Sequence, residues 1–134
     1  MSRRRLEVVR FCIVIILVAI VISMTLGAQS VGFRSAPASA AQMKNPFAGD
    51  IDAAAGGGKK LYAQNCAQCH GNNLQGMGPA PSLLSNSVKT ASPGELFWFI
   101  TNGELNKGMP GWSQLPKQQR WQIVSFLESR NASK

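Results

Sequence analysis

Histidine is all but missing from this chain: His70 is the sole copy among 134 residues. A structural zinc site needs four nitrogen or sulfur ligands. Beyond the amino-terminal leader there are two cysteines and that one histidine, too few to build one. The three cysteines do not form a disulfide framework either, because Cys12 lies inside an apolar run while Cys66 and Cys69 form a close pair. No stretch alternates apolar and polar residues as a half-buried strand would, which removes the strand-based setting a thioredoxin-like pair requires. Acidic residues are also few, six against 14 Lys and Arg, for a formal charge of +8.

That positive charge does not describe a nucleic-acid surface. Five arginines and one glutamate fall in residues 1–40, and nine basic against five acidic residues fall in the remainder, so the excess is shared equally. The lysines of the second part are scattered and have no interleaved aromatic residues, which excludes nucleic acid as a partner. The arginines of the first part precede an uncharged run from Phe11 to Ala28, and this arrangement is a topology signal. By the positive-inside rule the amino terminus stays in the cytoplasm, and everything after Ala28 emerges on the far side of the membrane. The run's length lies between a signal-peptide core of about 7–15 residues and a comfortable span of about 20. Residues 1–28 are therefore expected to be a signal sequence or a transmembrane anchor. Ala38-Ser39-Ala40 has the small-x-small form of a cleavage site but lies far past the apolar run, so an uncleaved anchor is preferred.

Residues 29–56 are rich in Ala, Ser, Gly and Pro with few large apolar side chains, and are expected to be a flexible linker. Such a linker would span roughly 30 Å in the root mean square. The compact domain is expected over residues 57–131, as three main helices joined by loops. The first is predicted from about Gly58 to Gln68. The second has Ser92 as N-cap, Pro93 at the first helical position, Glu95 completing a capping box, and Gly103 as its stop. The third begins around Pro116, with Trp121, Ile123, Val124, Phe126 and Leu127 on a broad apolar face. Residues 71–91 contain Gly76-Met77-Gly78-Pro79-Ala80-Pro81 and are predicted to be loop. A loop that long in so small a domain needs something to fold around.

The segment Cys66-Ala67-Gln68-Cys69-His70 supplies it. This C-x-x-C-H pattern is that of c-type haem attachment. Two thiols three positions apart at a helix end can each add to one vinyl group of the same porphyrin, and the next residue, His70, is then held beneath the ring to bind iron. Because His70 stands alone, a second histidine ligand is impossible within the chain. Methionine is the usual alternative, and two are candidates in the domain. Met77 follows His70 by seven residues and would have to cross the ring edge almost fully extended. Met109 lies in Lys107-Gly108-Met109-Pro110-Gly111-Trp112, with enough chain to reach the far face, and is the preferred ligand. Met77, a lysine or an open position remain the alternatives.

With these residues in view, the sequence resembles the class I mono-haem cytochrome c family, small bacterial type, over about Gly57 to Leu127. The resemblance implies an all-α fold wrapped around one covalently attached haem c with its iron, here preceded by the amino-terminal membrane segment. It further implies that the Gly58-x-x-x-Tyr62 step packs on the last helix at Phe126 and Leu127. It implies as well that the proline carbonyl of a Pro-x-Leu step accepts a hydrogen bond from the histidine's other ring nitrogen. Pro81-Ser82-Leu83 fits that step, and Pro79 is the alternative. Met109-Pro110-Gly111-Trp112 is similar to the Met-Pro-x-aromatic turn of small bacterial and photosynthetic cytochromes and of haem domains attached to terminal oxidases.

The expected function is one-electron transfer without enzymatic turnover, on the periplasmic side of the cytoplasmic membrane. Its partners would be redox proteins such as a dehydrogenase, an oxidase or another cytochrome. A ferric centre held by both nitrogen and sulfur has no coordination site for substrate. The other class considered, a haem enzyme or a gas or peroxide sensor, needs a labile sixth ligand, and no second histidine or acid-base pair lies near Met109. Lys59, Lys60 and Lys107 flank the expected haem-bearing segments and are candidates to steer the domain toward acidic partners.

Overall fold

In the computed structural model the described residues are Arg10, Ile13 and 36–132. The expected membrane segment therefore lies outside them except for those two positions. Among the described residues no helix is long and apolar enough to cross a membrane. They form helices and loops only, with two isolated backbone bridges and no strand. The helices are α1 (Ala38–Ala41), α2 (Ile51–Asn65), α3 (Ala67–His70), α4 (Asn86–Thr90), α5 (Pro93–Asn102) and α6 (Lys117–Ala132), with a 3₁₀ turn at Leu105–Lys107.

The core is built where α2 and α5 pack on α6. Gly58 is buried, and a Cβ there would overlap the carbonyl of Gln122 and the Cβ of Phe126, so the missing side chain lets two helix backbones touch. One turn on, Tyr62 meets Phe126 with ring centroids 5.3 Å apart and tilted by 48°. On the other side Phe97 of α5 stacks on Trp121 of α6 at 4.2 Å and 17°. Such aromatic pairs add about 0.5–1.5 kcal/mol each beyond the area they bury. The last helix is the hub of this core, and Ile123, Val124 and Ser125 are almost wholly removed from solvent.

Helix α5 has the ends its sequence signals indicate. Ser92 Oγ accepts from Glu95 N, Glu95 Oε2 accepts from Ser92 N at 2.8 Å, and the helix stops at Gly103 with φ 69°. The boundaries of α2 differ from expectation. It begins seven residues earlier, at Ile51, capped by Asp50 Oδ1 accepting from Ala53 N at 3.2 Å. It ends at Asn65, where Cys66 leaves helical geometry at φ −121° before the short α3 resumes.

Much of the expected linker is folded. Residues 29–35 lie outside the described part, but residues 37–50 form a strap over the start of α5 and the side of α6. Ala40 is buried with its carbonyl against Gly94, and Met43 and Phe47 pack on the core. Asn45 is buried and donates from Nδ2 to Ser125 Oγ at 2.9 Å and to Glu128 Oε2 at 2.6 Å, while its Oδ1 accepts from Phe47 N. Small residues read as a tether in sequence because they bury little area on their own. Here the area comes from neighbours that already form a surface, and one buried polar side chain fixes the register.

Candidate functional site

Cys66, Cys69 and His70 sit where α2 gives way to α3. Cys66 N donates to Tyr62 O at 2.8 Å, which ties the turn to α2, and the amides of Cys69 and His70 donate back to Cys66 O at 3.1 and 2.9 Å. No disulfide joins the two cysteines, of which Cys66 is half-buried and Cys69 exposed. Burial, with the Cys69 sulfur as a lesser cause, pushes the Cys66 thiol up to about 11. That is opposite to the depressed thiolate of a dithiol oxidoreductase.

The other side of the turn is held by a loop with its own internal bonding. Tyr62, only 2% exposed, donates its hydroxyl to Gly71 O at 2.6 Å. Gly76 N donates to His70 O at 2.8 Å. Leu74 adopts φ 65°, a left-handed conformation that costs a non-glycine residue about 1–2 kcal/mol. Its side chain is buried to 1% exposure, and its carbonyl accepts both Leu83 N at 2.8 Å and Ser82 Oγ at 3.2 Å. This doubles the chain back so that Pro81 O lies 2.9 Å from His70 Nδ1. Pro81, and not Pro79, therefore occupies the position facing the histidine. The bond fixes the imidazole with Nδ1 as its donor and leaves Nε2 as the nitrogen free to bind a metal. Residues 71–91 are not entirely loop, since α4 forms one turn at Asn86–Thr90 and buries Val88.

The two candidate methionines are placed differently. Met77 is 53% exposed, in a tight turn where it bridges to Ala80 on the histidine side of the loop. Met109 is half-buried between α5 and α6, where Glu104 N donates to Met109 O at 2.8 Å and Met109 N to Glu104 O at 3.2 Å. Two thiols and an imidazole with one nitrogen already engaged are groups that a covalently held iron porphyrin uses. A bare ion is less well served, because among the described residues no three His, Cys, Asp or Glu side chains converge on one point. Leu74 belongs to this region and carries no motif that marks it in the sequence.

An all-helical domain with a C-x-x-C-H turn braced in this way defines a haem-attaching fold of the cytochrome c class. The profile of a family described as cytochrome c oxidase, cbb3-type, subunit III matches residues 53–127, more than half of the chain, and the chain belongs to that cytochrome c family. It accordingly binds covalently attached haem c with its iron. The cbb3-type cytochrome c oxidase subunit CcoP of Azospirillum brasilense is 39% identical over 69 residues, which cover 46% of this chain and 23% of that protein. Cytochrome c550 of Pseudomonas aeruginosa is 37% identical over 79 residues, 54% of this chain and 52% of that one. The menaquinol:cytochrome c reductase cytochrome c subunit of Bacillus subtilis is 37% identical over 83 residues, 62% and 31% respectively. The chain thus spans from about a quarter to about half of the length of these relatives. No solved structure gives a significant match.

Proposed function

We propose that this chain is a one-electron carrier whose haem is bonded through Cys66 and Cys69 and whose iron is held by His70 and Met109, on the periplasmic side of the cytoplasmic membrane. The observation that carries this reading is the 2.9 Å contact between His70 Nδ1 and Pro81 O. It orients the only imidazole of the chain so that its second nitrogen is the metal-binding one. When bound, the haem supplies a reversible ferric-ferrous couple. Methionine sulfur favours the reduced form and raises the potential.

Met109 is favoured over Met77 because its backbone is pinned and its side chain half-buried, whereas Met77 is exposed and tied to the histidine side. Glu104 is the one acid of residues 103–115, and Lys107 Nζ holds its Oε1 at 3.0 Å. That arrangement leaves the enzymatic or sensory reading without an unpaired acid in the Met109 loop. The same ion pair shifts the weight of steering from Lys107 to the exposed Lys59 and Lys60. The relatives are named as an oxidase subunit, a reductase subunit and a cytochrome c550, which supports a redox protein as partner. The apolar run 11–28 is the proposed membrane anchor.

The test is optical and chemical. The purified full-length protein should be red, should keep its colour after acid-acetone extraction, and should have no alkylatable thiol at Cys66 or Cys69. A colourless protein with both thiols reactive would refute the reading.

A further inference from the structure

Arg120 has no place in the machinery described so far, yet it joins three segments around the loop that contains Met109. Its Nε donates to Leu115 O at 3.1 Å and its Nη1 to Thr101 Oγ1 at 2.5 Å. Its guanidinium lies 4.9 Å from the centroid of the Phe97 ring. Thr101 in turn donates to Phe97 O at 2.7 Å, so the hydroxyl is oriented to accept from the arginine. Thr101 belongs to the last turn of α5, where the chain enters the Met109 loop, and Leu115 stands where it leaves.

Between those two points the loop is held by its own backbone. Its limbs cross backbone on backbone: a Cβ on Gly103 would strike Gly111 N and Met109 O, and one on Gly111 would strike the carbonyls of Thr101 and Asn102. Trp112 N donates to Ile100 O at 2.8 Å just inside the crossing, and the Glu104–Met109 pair closes the tip. Hydrogen bonds from a cation are roughly twice as strong as neutral ones. Here a single planar group donates in two directions to the entering and leaving limbs, a reach that a lysine ammonium does not reproduce.

We propose that Arg120 is a positioning residue for Met109: by bracing Thr101 against Leu115 it holds the loop closed and so keeps the methionine sulfur on the iron. The inference rests on Met109 being the axial ligand. If Arg120 acts in this way, its loss raises the fraction of ferric protein in which the sulfur has left. An added ligand that competes for that position then binds more tightly in proportion to that fraction.

The probe is imidazole, titrated into the oxidised full-length holoprotein and followed by loss of the weak long-wavelength charge-transfer band that reports sulfur on ferric iron. Arg120→Lys and Arg120→Met should each tighten imidazole binding about tenfold, the scale of one lost charge-assisted hydrogen bond. Thr101→Val, a milder change that keeps the fold if the arginine variants do not, should tighten it severalfold. Adding Thr101→Val to Arg120→Lys should give less than the product of the two effects. Arg130→Met, on an exposed position of α6, should bind imidazole as the parent does. Variants at Arg120 and Thr101 that melt at lower temperature but bind imidazole like the parent would overturn the proposal, leaving the arginine an ordinary brace of the fold. A parent without the charge-transfer band, or a Met109→Ala variant that retains it, would instead overturn the ligand assignment and the clasp with it.

Discussion

Gly58 of α2 and Gln122 of α6 touch through their backbones, because the position of an absent Cβ is taken by the Gln122 carbonyl. The contact sets the distance between the helix that ends in the haem-attachment turn and the helix that carries most of the core. Gly58→Ala has no flexible neighbour to yield, since the clash is with backbone and with Phe126 Cβ. It should lower stability by about 1–3 kcal/mol. Chemical denaturation of the oxidised holoprotein measures this directly, and an unchanged midpoint would contradict the packing described.

Tyr62→Phe removes the only side-chain donor to Gly71 O, a bond of 2.6 Å buried behind the turn. Gly71 O keeps the bond from Leu74 N at 3.1 Å, so losing the phenol should cost about 0.5–1.5 kcal/mol. The parent protein should also show an alkaline loss of stability that this variant lacks. Burial, the largest cause, pushes the Tyr62 phenol up to about 12 from an ordinary 10. The folded form therefore holds its proton where the unfolded chain has lost it. The contribution is complete below pH 10 and disappears as the pH rises from 10 to about 12. Denaturation midpoints compared across that interval, parent against variant, give the difference.

Met109→Ala should abolish the charge-transfer band of the ferric protein and lower its reduction potential, while Met77→Ala should leave both close to the parent. The expectation follows from the fixed, half-buried position of the first and the 53% exposure of the second. Redox titration under the same conditions separates them, and the reverse outcome would place the ligand in the 71–91 loop.

Lys59→Gln together with Lys60→Gln should slow reduction by an acidic partner at low salt and flatten the ionic-strength dependence of that rate. Lys107→Gln should have a smaller effect, because its charge already offsets that of Glu104 at 3.0 Å. Stopped-flow rates between low and about 0.5 M salt, where screening shortens to a few ångströms, provide the comparison. Equal effects from the two sets would remove the distinction.

Local chemistry was the legible part of this molecule. The haem-attachment pattern, the Ser92–Glu95 capping box and the Gly103 stop depend on residues within a few positions of each other, and the cap and the stop appear in the structure where expected. The Gly58–Tyr62 step and the Pro81 carbonyl were legible only through family resemblance, since each acts on a distant segment. Three things were not legible. The start of α2 at Ile51 was hidden because Ala53-Ala54-Ala55-Gly56-Gly57 resembles a tether until α6 covers it. The left-handed Leu74 carries no glycine or asparagine to announce it. Arg120 reads as a surface charge on a helix until Thr101 and Leu115 are brought beside it.

The bond from Asn45 to Ser125 joins positions 80 residues apart, and Glu128 extends the same junction by three more. A chain that emerges amino end first therefore exposes the strap, then the two thiols, well before the helix that receives Asn45 has been made. Asn45 can make these bonds only once α6 exists, so the contact that anchors the strap is among the last that synthesis of the chain allows to close.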